Sequence, residues 1–473
     1  MATYELFSQK LKTINIGLPS FGEDLITQEV ETVLVDWQIP AGGNTELINA
    51  LKVIENAEVE KANHLTIEKI LKGEPVLIGM ERAQDVIPGM GPRSIFHAGP
   101  PLTWERMCPG VQRGVLGAIV FEGWAKDRES ALELIKNNEI EFSPNHFHNA
   151  VGPMTGIISP SMPVWVVENR AFGNRAYSTL NEGKGVTLWY GDFDESTVER
   201  LTWFRDVFGP NVKKALDKQS GTINVFNLVA QGLSMGDEVH VRCQATTALV
   251  IKELVPLLAE AGVDGKDIAD MVRFMARNNT FSLNLAMAAS KSVLDAAHGV
   301  PNSTIVTAMT RNGTDFGIRV GGMGNEWFIT DAPALDDCLY YAGFSVEDAV
   351  ADIGDSAIIE TVGFGGMTFA CAPTIASFVG GGVKDAIELN KQMASIAHGR
   401  NKTFAIPNMD FAGSPTGIDI RKVVESRIVP IIDTGVIHKE AGIGQIGAGV
   451  ARAPISIFEE AVLAMAKTMS TKQ

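Results

Sequence analysis

Between Ala245 and His298 the apolar residues change period. Leu249, Leu254, Leu257, Leu258, Ile268, Met271, Val272 and Met275 recur at helical spacing, and the β-branched runs found on either side disappear. Side chains at that spacing share one face of an α-helix, so the stretch reads as a helical subdomain. Its last helix stops at Gly299 with Pro301 behind it, because glycine takes the left-handed closing conformation and proline cannot continue a helix. Beyond it TIVTAMTRNGTDFGIRV reads as a hairpin, since Asn312-Gly313 supplies positive φ between two β-rich runs, and GGMGN with EWFIT continues the ribbon. Before it, strand-like SIFHAGPP, EIEF and PVWVVENR alternate with helical segments containing LTWERM and SALELIKNN. The fold class this predicts is α+β: two mixed lobes over 91–244 and 301–473 and an inserted helical subdomain over 245–300. An α/β arm over 1–90 precedes them, with strands at TINIGL and ETVLVDW and helical LINALKVIENAEVEKANHL after the break IPAGGN.

The chain has 473 residues, enough for roughly three domains. No run approaches the roughly 18 apolar residues that a membrane helix needs, and charges interrupt MATYELFSQKLKT where a secretory signal would be apolar. The compartment expected is therefore the cytoplasm. Cys108, Cys243, Cys338 and Cys371 lie far apart with no CxxC, which reads as reduced, buried thiols and not a metal knuckle. The net charge of −16 disfavours a nucleic-acid partner. An anionic substrate would need local Arg, Lys or backbone N–H groups to overcome that field.

Gly442, Gly444 and Gly447 in HKEAGIGQIGAGVARAP are spaced like a dinucleotide fingerprint. A fingerprint needs a further strand and an acidic residue about 20 residues on, and only one helix and a tail follow, so no nucleotide cofactor is expected. What remains is a glycine-rich loop running through Gly449 into a helix N-terminus, flanked by Lys439 and Arg452, which would cradle an anion. The alternative is close packing that needs missing Cβ atoms. Gly380–Gly382 with Lys384 allows the same argument more weakly. In SPNHFHNAVGP, His146 and His148 sit two apart, and with His97 they would make a metal site only by converging; no metal is expected, and a single histidine moving a proton or donating a hydrogen bond is the better reading. Arg311 beside the hairpin turn and Arg319 in the β-rich run after it suit a carboxylate or phosphate, which guanidinium binds through two parallel bonds. Arg175 and Lys184 are further cationic candidates. No GxSxG, HExxH or P-loop is present.

Together HAGPP, FEGWAKD, NAVGPM, VVEN, GNRAY, LNEG, SMGDE, VTAMTRNG, FGIRV, GDSAI and HKEAGIGQIGAG resemble the bacterial YlbE/YahG-like family, from about Ile95 to the last helix. The resemblance implies two α+β lobes with a helical insertion. It also implies a role in oxamate carbamoyltransferase, which exchanges a carbamoyl group between oxalurate and phosphate to give oxamate and carbamoyl phosphate in allantoin and purine catabolism. The partners it implies are an acyl-CoA-synthetase-like subunit and a small third subunit, within an oligomer. Shorter members lack the N-terminal arm, whose VDWQIPAGGN resembles the end of the synthetase-like partner, so the arm reads as a docking element. His146 and Asn149 match those members and His148 does not. The family supplies no catalytic residues to carry over. Residue chemistry places phosphate at the Gly442–Gly449 loop with Lys439 and Arg452, the acid's carboxylate on Arg311 or Arg319, and carbonyl polarisation or proton transfer on His146 with Asn149. Two alternatives stand beside this: a paralogue using another carbamoyl or acyl substrate, and a scaffold subunit that does no chemistry.

Overall fold

The computed structural model of the chain describes residues 10–35, 37–218, 223–375, 381–440 and 442–471. Its centre is the helix Leu283–Ala297, in which every residue but Asp295 and Ala296 is buried. A helix of small and apolar residues on all sides can be enclosed all round. This one packs on the main sheet, on the helix Ala57–Lys72 and on the short helix Ile358–Val362. It also carries Lys291 into the interior.

The first strands, β1 (Lys12–Ile16) and β2 (Glu31–Val35), pair in parallel around the helix Pro19–Thr27. Ile14, Ile16, Phe21 and Val33 of this small unit are exposed. The rest of the 1–90 stretch lies elsewhere. The helices Thr45–Ile54 and Ala57–Lys72 begin at Asn44 and Asn56, whose side chains accept first-turn N–H groups. They lead into β3 (Pro75–Arg82), a strand that the sequence reading did not mark. The parallel pair β4 (Ser94–His97) and β5 (Glu141–Pro144) follows. Next come β6 (Pro163–Asn169), β7 (Asn174–Thr179) and β8 (Ile223–Asn224), which join β3 in an antiparallel sheet of order β7-β6-β3-β8.

The helices Gln244–Glu260, Gly265–Arg277 and Leu283–Ala297 fill the stretch that the apolar period marks as helical. After Gly299, at φ +79°, the predicted hairpin forms from β9 (Val306–Asn312) and β10 (Asp315–Val320), extended by β11 (Phe328–Asp331). β12 (Leu339–Tyr340) belongs to a later sheet, while β13 (Ile353–Gly354) pairs with β9. β14 (Ala397–Ile406) and β15 (Ala412–Ile418) form an antiparallel pair that the sequence reading also missed. β16 (Ile431–Ile437) and β17 (Gln445–Arg452) form a hairpin joined by β12, and the helix Ile455–Ser470 closes the described chain. The α+β class expected from the sequence is the class observed. Among the described residues no helix is long and apolar enough to cross a membrane.

One buried ionic knot ties three of these parts together. Asp419 accepts from Thr304 Oγ1 at 2.8 Å, Arg421 Nη2 at 2.7 Å and Asn63 Nδ2 at 3.3 Å, while Arg421 Nη1 reaches Glu60 at 2.7 Å. Burial pushes the Asp419 carboxyl up, but His398 and Arg421 more than reverse this and hold it at about 2. Breaking such a pair leaves a buried charge without its partner, which costs about 3–5 kcal/mol. Asp419→Asn should lower the denaturant midpoint of the isolated chain at pH 7 by that order. Because the folded carboxyl is more acidic than the unfolded one, the difference between the two proteins should shrink as pH falls from 4 toward 2; chemical denaturation at several pH values reads both effects.

Candidate functional site

The glycine-rich stretch does not lead into a helix. Gly442 and Gly444, at φ +78° and +79°, form the turn of the β16–β17 hairpin, and Gly447 and Gly449 lie within β17. A Cβ on Gly447 would stand 2.6 Å from Leu339 O, and one on Gly449 would stand 2.7 Å from Cys338 Cα. These two glycines are therefore absent side chains that let β12 close on β17. The strand–loop–helix anion cradle is corrected on that ground: a hairpin turn has no helix N-terminus to present N–H groups. Lys439 Nζ donates to Glu347 O. Arg452 lines a surface hollow with Asp337, Asp385 and Glu388, an acidic setting that repels anions. Lys384 starts the helix Val383–Ile396 with Gly381 and Gly382 ahead of it, and Gly380 lies outside the described residues.

Arg311 is fully buried and its five N–H groups are all spent. Nε and Nη2 hold Asp352 at 2.7 and 3.0 Å; Nη1 donates to Gly354 O at 2.7 Å and Ser356 Oγ at 3.3 Å, and Nη2 also reaches Thr434 Oγ1 at 3.3 Å. No donor is left for a ligand, so the expectation that Arg311 binds substrate is corrected: it binds the protein. Gly354, at φ +122°, makes the crossing possible, because a Cβ there would stand 2.6 Å from Met154 N.

Arg319 is the opposite case. It projects from β10 into an open cleft of about 440 Å³ lined by His146, Asn149, Asp295, His298 and Asn325. Nη2 donates to Asn325 Oδ1 at 2.9 Å and lies 2.7 Å from His298 Nε2; among the described residues the buried Nε has no partner and no carboxylate forms an ion pair with the guanidinium. Its plane lies 5.6 Å above the Trp327 ring. Beneath it Lys291 is paired with Asp295 at 2.6 Å, and burial lowers its pKa. His298 is pushed down to about 4 by burial and by Arg319, so it is neutral; its Nε2 lies 2.7 Å from both Arg319 Nη2 and Gly324 O, and its Nδ1 lies 2.8 Å from Thr307 Oγ1. The cleft is thus an electropositive patch in an acidic protein. Three predicted residues, His146, Asn149 and Arg319, meet here, but not in equivalent positions. The imidazole of His146 is sealed beneath the cleft floor, edge-on to Trp327 at 5.5 Å; neither ring nitrogen has a hydrogen bond, although Nε2 lies 3.5 Å from Asp355. Burial, with Lys291 and Arg319 nearby, holds that ring neutral.

A family model for oxamate carbamoyltransferase subunit AllG matches residues 140–356. The chain is 44% identical to YahG of Escherichia coli (strain K12), over 97% of this chain and 98% of that protein. The chain belongs to the YahG/AllG family. It is also 45% identical to oxamate carbamoyltransferase subunit AllG of the same strain, over 87% of this chain and 98% of that one. A crystal structure of a conserved protein from Enterococcus faecalis V583 superposes with a TM-score of 0.85 at 41% identity, covering 87% of this chain and 98% of that one.

In this YahG/AllG-family chain the histidines considered for metal do not converge. His97 Nδ1 is bound to Ala98 O, and His148 is held by Pro88 O and Ser143 Oγ while stacking on Phe96 at 3.9 Å. The four cysteines are free and buried. Arg175 pairs with Glu168. Sequence reasoning missed Lys291, Asp295, His298 and Trp327, which adjoin Arg319 only through tertiary packing.

Two outcomes follow from this geometry. Arg311→Ala should lower stability by about 3–5 kcal/mol, and Arg311→Lys should recover little, since an ammonium cannot span Asp352, Gly354 and Thr434; thermal denaturation of the isolated chain reads this. His97 and His298, each at about 4 when folded, and His146, also depressed, bind fewer protons folded than unfolded. Stability should therefore be full above pH 6.5 and fall toward pH 4, by about 1 kcal/mol per histidine at pH 5.5. His298→Asn should flatten that slope.

Proposed function

We propose that this chain is a subunit of an oxamate carbamoyltransferase-like enzyme that exchanges a carbamoyl group between oxalurate and phosphate, with the Arg319 cleft as its anion site. The observation that carries the reading is the guanidinium of Arg319, partly buried and without a carboxylate partner. Its Nη1, which makes no hydrogen bond among the described residues, is left to meet an oxygen of the acid's carboxylate. The volume of about 440 Å³ would hold on the order of fifteen non-hydrogen atoms at about 30 Å³ each, enough for oxalurate and phosphate side by side.

In the reaction a phosphate oxygen attacks the carbamoyl carbon and the bond from that carbon to the amide nitrogen breaks. The electron pair goes to nitrogen, which takes a proton originally on phosphate, leaving oxamate and carbamoyl phosphate. Holding both anions in line supplies much of the rate, and Arg319 with Lys291 offsets the charge that brings them together. Asn149 at the rim hydrogen-bonds the ureido group. His146, sealed as it is, serves as a positioning residue for Trp327 and Lys291. The acyl-CoA-synthetase-like and small third subunits are the partners in this reading, the exposed unit over 12–35 within the 1–90 stretch is the docking element, and the cytoplasm is the compartment. The sealed ring of His146 favours a second reading, in which the chain is a scaffold and the chemistry lies in a partner.

The assay is phosphate-dependent loss of oxalurate by the chain purified with its partner subunits. Arg319→Ala should raise the KM for oxalurate at least about tenfold, with Arg319→Lys recovering little of it. Unchanged kinetics in a fully assembled complex would favour the scaffold.

A further inference from the structure

A second cavity lies away from the Arg319 cleft. It is a chamber of about 250 Å³ with Lys184, Trp189, Tyr190, His240, Ser356 and Gln445 among its walls. These residues come from LNEGKG, the segment after it, SMGDEVH, GDSAI and GIGQIGAG, stretches that line none of the cleft. Several wall groups are already satisfied. Trp189 Nε1 donates to Gly183 O at 3.0 Å, Tyr190 Oη pairs with Gln445 Oε1 at 3.2 Å, and Gln445 Nε2 donates to Gly447 O at 3.1 Å.

Two groups are left with work to do. Lys184 is exposed at the chamber and forms no ion pair. His240 is buried with Nδ1 held at 2.7 Å by Glu360 Oε1, and its Nε2 makes no hydrogen bond. A histidine whose Nδ1–H is claimed by a carboxylate presents Nε2 as an acceptor. Behind it stand Glu238, raised to about 8 by burial and by Glu360, and Asp433, which burial and both glutamates push far up so that it keeps its proton. Protonated Asp433 hydrogen-bonds Glu238, and Glu360 Oε2 is buried without a hydrogen-bond partner among the described residues. Carboxyls buried in this way cost stability, and groups so perturbed beside a cavity mark a working site. The wall opposite is fixed by Arg311, which holds Ser356 Oγ.

We propose that this chamber is a second ligand site, for a small carboxylic acid bearing an amide or ureido nitrogen, with Lys184 taking the carboxylate and His240 Nε2 accepting the ligand's N–H. The volume holds on the order of eight non-hydrogen atoms, one such molecule and little more. The site needs neither Arg319 nor the transferase reading, and each can fail without the other.

The test is calorimetric titration of the full chain with oxamate, together with crystals soaked in oxamate. Density in the chamber is expected, with Lys184→Ala abolishing that density and weakening the corresponding binding event at least about tenfold, while Arg319→Ala leaves the chamber density in place and removes only oxamate bound in the cleft. His240→Leu should weaken it comparably where its melting profile matches the parent; the exposed Lys184 variant decides the matter if it does not. Oxamate density only against Arg319, loss of binding in Arg319→Ala with Lys184→Ala unaffected, binding at crystal concentration only, or no heat at millimolar oxamate would each overturn the proposal.

Discussion

The fully buried pair Arg311–Asp352 sets the geometry on which both cavities depend. A buried guanidinium is tolerable only if every donor is used, and here the donors reach β9's neighbour β13, the Gly354–Ser356 turn and Thr434 of β16. Those contacts lock together strands from two different sheets. The turn so held divides the interior: Asp355 faces His146 and binds the Gly99 and Gly152 N–H groups, while Ser356 faces the chamber. An arginine that looks like a ligand binder in sequence is the strut that gives the binding regions their walls.

The two cavities answer the electrostatic problem of an acidic protein in different ways. The cleft holds the Arg319 guanidinium against His298 and Asn325 while Asp295 on its wall pairs with Lys291, so its local sign opposes that of the whole chain. The chamber sits in front of three buried carboxyls, two of them driven toward the protonated form by burial and then by their neighbours' charge. Protons on Glu238 and Asp433, and not cations, offset their charge, which leaves Lys184 at the chamber without an ion pair among the described residues.

The fold was legible where local chemistry decides it. The helical stretch between the lobes, the Asn312-Gly313 hairpin and the helix stop at Gly299 depend on periodicity and on backbone conformation that few residues can adopt, and all three appear as read. β3 was not legible because its partners β6 and β8 are distant in sequence, and the neighbouring strands β14 and β15 were not because their pairing is irregular between Asn401 and Ala405. Within the site, Arg319 was recognisable as a guanidinium in a β-rich run, and Asn149 and His146 as members of a polar cluster. Lys291, Asp295 and His298 were hidden in a helix whose apolar neighbours suggest only core.

Sequence alone determined the α+β class, the helical character of the stretch from Ala245 to His298, the free cysteines and the family, since each rests on spacing, composition or runs of identical words. It could not tell a glycine that cradles an anion from one that lets two strands touch, nor an arginine with free donors from one with none. Those distinctions depend on what stands within about 3 Å of each group, and distances of that kind exist only once β12 lies on β17 and Asp352 lies under Arg311. Tertiary structure therefore replaces the expected strand–loop–helix cradle by a hairpin turn and opens two cavities, a cleft at Arg319 and a chamber at His240, as the proposed places for binding.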